Sequence, residues 1–270
     1  MLAKRALSAA VIIVLGLGLV VAGGWVFTTG VSLILALAAF EYADMFNKGG
    51  FSPPKILLAF LVMVAAVASR FSNREVFSGV LSGAVFIIAF YHTVRFSKTA
   101  GTAGMDFAAM LSGMVFIGFL GSYLVRLRFL PDGLFWVIIA IAPAGISDIG
   151  AFFIGSALGR TKLAPHLSPA KSLEGYLGGV LAAVITGYVS ALIAGMFNPV
   201  FSGIEGLVVG LVVGLFCPLG DLAKSIFKRQ FNLKHTGTLI PGHGGVLDRI
   251  DTWLWAAPLS YYLIILFLLK

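Results

Sequence analysis

The stretch GLFWVIIAIAPAGISDIGAFFIGS, residues 133–156, contains a single charged side chain, Asp148. One helix crossing the hydrocarbon core of a bilayer takes about 20 mostly apolar residues, so this stretch predicts a transmembrane span. It also puts a carboxylate in an apolar run, where charge is costly and marks function by default.

The rest of the chain repeats the first of these features. Of its 270 residues, 59% are hydrophobic and 11% charged, and mean hydropathy is +1.02. Soluble domains carry about 25% charged residues, so lipid must cover this exterior. Runs of spanning size fall at about 6–23, 26–46, 55–71, 76–94, 107–125, 133–156, 175–196, 203–223 and 252–269. The expected fold is therefore an all-α polytopic membrane protein of about nine helices. Lys4 and Arg5 precede the first run in the order of a signal peptide, but the run is long and lacks a clear cleavage site, so it reads as a retained span.

The net charge of +8 does not signal nucleic acid. The basic residues sit at the ends of spans, where anionic headgroups and the orientation rule account for them. With the N-terminus inside, fourteen Lys and Arg lie on the cytoplasmic side and five outside, which predicts N-in, C-out. The single cysteine, Cys217, excludes an intrachain disulfide and a multi-cysteine metal site. Residues 1–130 read as plain spans, and residues 131–270 as the half with the chemistry, within one membrane domain. Glycines four apart, as in Gly206, Gly210 and Gly214, or Gly155 and Gly159, or Gly175 and Gly179, predict close helix packing. They are compatible with a homodimer and equally with a monomer's interior.

Three constellations carry the chemistry. Asp148 follows Pro143 by five residues, so the helix is expected to be broken and wet there. Ser168 and Pro169 fit the N-cap and first position of a helix; Lys171 and Ser172 would then lie in a first turn whose N–H groups favour phosphate. From Asp221, a helical reading puts Asp221, Ser225 and Lys228 on one face. Arg229, Lys234, Gly242, His243, Gly244 and Gly245 follow, then Asp248, Arg249 and Asp251. Glycines there admit close approach of a ligand, and successive N–H groups can cup an anion. Carboxylates hold Mg²⁺ together with substrate phosphates, and the cations spread polyphosphate charge. The set suits phosphoryl-type transfer by position and electrostatics.

The run from Ser225 through Lys228-Arg229, Lys234, Pro241-Gly242-His243-Gly244-Gly245 and Asp248-Arg249-Ile250-Asp251 resembles the motif of the phosphatidate cytidylyltransferases, or CDP-diglyceride synthases. The Asp148 segment and Ser168-Pro169-Ala170-Lys171-Ser172 resemble two further blocks of that family. The resemblance is strong over about residues 140–255 and rests on hydropathy elsewhere. It implies that CTP and phosphatidic acid give CDP-diacylglycerol and pyrophosphate, with divalent metal. By motif position, Asp221, Asp248 and Asp251 would surround Mg²⁺, with a second metal or a monovalent ion compatible. Asp221, Lys228, Arg229, Asp248 and Asp251 would be catalytic. Asp148, Ser168, Lys171, Ser172, Ser225, Lys234, His243, Gly244, Gly245 and Arg249 would bind substrate. The implied location is a bacterial-type inner membrane, with the site facing the cytoplasm.

One position departs from the family: His235 stands where Asp usually follows the loop lysine, exchanging an acceptor-only anion for a titratable ring. Two other readings remain at this stage. One is a cytidylyltransferase for another lipid phosphate. The other is an ion-coupled transporter, which predicts carboxylates at mid-span in symmetric halves rather than acids clustered beside cations.

Overall fold

The computed structural model describes residues 13–71, 73–237 and 244–269. Lys4, Arg5, the start of the first expected span, Pro241, Gly242, His243 and Lys270 lie outside the described residues.

The chain is helical, as its apolar runs require. Its helices are α1 (Ile13–Ala22), α2 (Gly24–Lys48), α3 (Lys55–Ala68), α4 (Arg74–Thr99), α5 (Ala103–Gly113), α6 (Leu120–Arg128), α7 (Gly133–Leu158), α8 (Leu173–Phe197), α9 (Ile204–Phe216), α10 (Pro218–Gln230), α11 (Leu247–Ile250) and α12 (Trp253–Leu263). A π-helical turn, Met114–Phe119, joins α5 to α6. Among the described residues, seven helices are long and apolar enough to cross a membrane, so the protein is an integral, all-α membrane protein. Lys55–Ala68 is also apolar but has 14 residues, about 21 Å at 1.5 Å per residue, against a hydrocarbon core of about 30 Å.

The residues form two compact units, one of residues 1–126 and 227–250, the other of residues 127–226 and 251–270. In the first unit α2 packs on α3 and on the α5–α6 helix. Tyr42, Met45, Leu58, Met110 and Ile117 are fully buried there, and the Tyr42 hydroxyl shares a 2.7 Å hydrogen bond with Ser112 Oγ. The last turns of α10 belong to this unit through aromatic contacts. Phe227 stands 5.5 Å from both Tyr42 and Phe46, and Phe231 5.0 Å from Phe46.

In the second unit α8 packs against α7 and α9, and the small residues do what their spacing predicts. A Cβ on Gly210 would come within 2.5 Å of the Ala183 carbonyl, and one on Gly206 would run into Gly187 and Ala191. On the other side of α8, a Cβ on Gly175 would meet the Ala151 carbonyl at 2.8 Å and one on Gly179 the Ser147 carbonyl at 2.9 Å. With no hydrophobic drive between helices in lipid, such close backbone contact is what holds them together.

Two local expectations are corrected. Helix α7 is not broken at Pro143; it runs unbroken from Gly133 to Leu158 with Pro143 buried. One missing N–H is tolerated in a span when neighbouring helices hold the backbone. Nor does a helix begin at Ser168. Residues Ser168–Ser172 form strand β2, antiparallel to β1 (Lys162–Ala164). The cap is Ser172, whose Oγ accepts from the Gly175 N–H at 3.1 Å. Pro169 suits an edge strand, and Glu174 ties the helix start back to the Arg160 and Thr161 amides at 3.0 and 3.1 Å.

Candidate active site

In the second unit four elements converge on one charged chain. Helix α7 supplies Asp148, β2 supplies Lys171, α10 supplies Asp221 and Lys224, and the residue after α11 is Asp251. Lys171 Nζ lies 2.8 Å from Asp221 Oδ2, and Lys224 Nζ lies 3.1 Å from Asp221 Oδ1. Lys224 also donates to Asp251 Oδ2, and Asp251 Oδ1 accepts the Thr252 N–H at 2.8 Å. Lys224 is 3% exposed and Asp251 4%. Ions this buried persist only when paired and hydrogen-bonded. Asp148 is exposed and stands in the field of Asp251, Lys171, Asp221 and Lys224.

A cavity of about 400 Å³ opens beside this chain. Its polar lining includes Ser147, Asp148, Lys171 and Ser172, and its apolar lining includes Phe152 and Tyr176. Such a pocket can take a molecule with an anionic end and an apolar body.

In the first unit a second carboxylate is held differently. Asp248 Oδ2 accepts backbone N–H groups from Thr236 at 3.0 Å and Gly245 at 3.3 Å, and Lys228 Nζ is 3.3 Å from Asp248 Oδ1. Gly244 has φ +81°, and a Cβ there would stand 3.0 Å from both Asp248 Oδ2 and His235 Nδ1. Only glycine adopts that backbone without cost. His235 is half exposed, with Nδ1 3.9 Å from Asp248 Oδ2.

The sequence pattern of the cytidylyltransferase family matches residues 3–267. The chain belongs to that family. It is 33% identical over 295 aligned residues to a phosphatidate cytidylyltransferase of Synechocystis, covering 98% of this chain and 97% of that protein. It is 30% identical to those of Bacillus subtilis, covering 98% of each chain, and of Staphylococcus haemolyticus, covering 97% of this chain and 98% of that one.

For a cytidylyltransferase the anticipated residues fall into two groups. Asp148, Lys171, Asp221 and Asp251 meet around Lys224 and the cavity, with Ser172 at its edge and Ser168 half-buried on β2. Lys228, Gly244, Gly245 and Asp248 meet in the loop of the first unit. Ser225 is buried, while Arg229, Lys234 and Arg249 are exposed. Among the described residues no group of three or more His, Cys, Asp or Glu is gathered to hold a metal alone. Mg²⁺ does not need such a cage, since one or two carboxylates plus phosphate oxygens suffice. Asp221 and Asp251, already drawn together by one ammonium, fit that demand.

Two residues were missed in the sequence. Lys224 lies at i+3 from Asp221, where an ion pair is expected. Glu41, a buried carboxylate in a span, carries the same warning of function as Asp148.

Proposed function

We propose that this cytidylyltransferase acts on phosphatidic acid. It joins the lipid phosphate to the cytidylyl group of CTP and releases pyrophosphate. An oxygen of the lipid phosphate bonds to the α-phosphorus of CTP. The bond from that phosphorus to the β-phosphate oxygen breaks, and the electron pair leaves with pyrophosphate. The observation that carries this reading is the Lys171–Asp221–Lys224–Asp251 chain beside a cavity lined by both charged and apolar side chains.

Lys171, on the cavity wall, binds a phosphate oxygen and gives up its pairing with Asp221 to do so. Lys224 keeps Asp221 and Asp251 in place and offsets their repulsion. Mg²⁺, when bound by Asp221 and Asp251, supplies charge neutralisation for the polyphosphate; a second metal or a monovalent ion is compatible with the remaining oxygens. Lys228 and Asp248, with the Gly244–Gly245 turn, form a phosphate-binding loop to which Arg229, Lys234 and Arg249 add positive charge; His243 is a further substrate-binding residue by its motif position. Ser168, Ser172, Ser225 and Asp148 complete the substrate contacts. The nine-span, N-in, C-out reading puts these loops on the cytoplasmic side of a bacterial plasma membrane, where CTP is available. A homodimer is compatible with the glycine spacing.

The test is pyrophosphate release by purified protein in detergent. Release should require CTP, phosphatidic acid and Mg²⁺ together. Release only with a different lipid phosphate would replace the substrate, and no release with any lipid phosphate would remove the activity.

A further inference from the structure

Glu41 sits on α2 in the apolar N-terminal part of the chain and is 3% exposed. Its partner is 206 residues away: Oε2 accepts the Leu247 N–H at 3.0 Å. That amide opens α11, one residue before Asp248. Glu41 also fills the space that side chains at 237 and 245 would need, because a Cβ on either glycine would collide with its carboxylate. At Gly245 the same Cβ would strike Thr236 Oγ1. The Thr236 hydroxyl is buried beside the Glu41 carboxylate, which it and the Val246 amide also face.

A carboxylate in a span is retained at high cost. Here it holds a backbone rather than another charge. Asp248 gathers the Thr236 and Gly245 amides, and Glu41 takes the Leu247 amide. We propose that Glu41 is a positioning residue: by holding the Leu247 N–H against Gly237 and Gly245, it fixes the turn that presents Asp248. This inference rests on the cytidylyltransferase reading of the loop. What it requires of residue 41 is an acceptor of the right length, not a negative charge.

The test uses the full chain in detergent with Glu41→Gln, Glu41→Asp and Glu41→Met. Glutamine keeps an oxygen for Leu247 and offers its NH₂ to Thr236 Oγ1. Aspartate keeps the charge but is one methylene short, and methionine keeps the volume without an acceptor. Since a misplacement of about 1 Å can cost on the order of 100-fold, Glu41→Asp and Glu41→Met should lose at least about tenfold in kcat/KM for CTP. Glu41→Gln should stay within about threefold. Amide exchange of residues 244–250 should quicken in the Asp and Met proteins and not in the Gln protein. If the Met protein fails to fold, the Gln-against-Asp comparison decides alone.

An active Met protein with unchanged exchange would overturn the proposal, as would a Gln protein as impaired as the Asp one. A silent wild type would instead overturn the substrate reading, and the exchange measurement would still test the role of Glu41.

Discussion

Two pairs of carboxylates, one pair in each unit, are held in different ways. In the second, Asp221 and Asp251 are tied to ammonium groups, Lys171 and Lys224, carried on β2 and α10. In the first, Asp248 and Glu41 accept backbone N–H groups of Thr236, Gly245 and Leu247, with the Lys228 ammonium as a further partner of Asp248. Ionic pairing of buried groups keeps charge available for exchange: a phosphate can displace a carboxylate from a lysine, and a cation can displace a lysine from a carboxylate. Backbone pairing sets the shape of a glycine turn. Under the proposed function, the first arrangement suits the group assigned the chemistry, and the second the loop that presents Asp248.

The largest effects should follow from charge removal in the second unit. Asp251→Asn should lower pyrophosphate release by about 1,000-fold or more, because it strips a buried ionic ligand from the reacting region. Asp248→Asn should lose only about tenfold to 30-fold, since an amide oxygen still accepts from Thr236 and Gly245. Equal losses would erase the distinction between the two regions. Lys224→Met leaves Asp221 and Asp251 without their shared counter-ion and should lower stability by about 3 kcal/mol or more in thermal unfolding. Lys228→Met, at a less buried pair, should cost about 1 kcal/mol. Ser172→Ala removes the cap of α8 and should cost about 1 kcal/mol by the same measurement. The smallest effect is expected at His235, which is half exposed and in only long contact with Asp248. There His235→Asp should change kcat/KM by about threefold or less.

Much of this was legible in the sequence. Apolar runs of 20 or more residues locate the helices because span length is a bilayer dimension, and the glycines of α7, α8 and α9 locate their contacts. Asp148, Lys171, Asp221 and Asp251 were readable because charge among apolar residues stands out. The cap reading at Ser168 failed because the local signal there ignores the tie between Glu174 and the amides of 160 and 161, which accompanies a helix start at Ser172. Nor could Lys224 be assigned, because its role depends on Asp251, 27 residues on. Glu41 is the extreme case, a side chain whose partner is a backbone amide 206 positions away.

The most direct test of the central claim follows two phosphorus atoms. Protein in vesicles containing phosphatidic acid is given Mg²⁺ and CTP labelled at either the α- or the γ-phosphate. Cytidylyl transfer predicts α-label in the lipid fraction and γ-label in released pyrophosphate. γ-Label in the lipid, or no label there with folded protein, would contradict it.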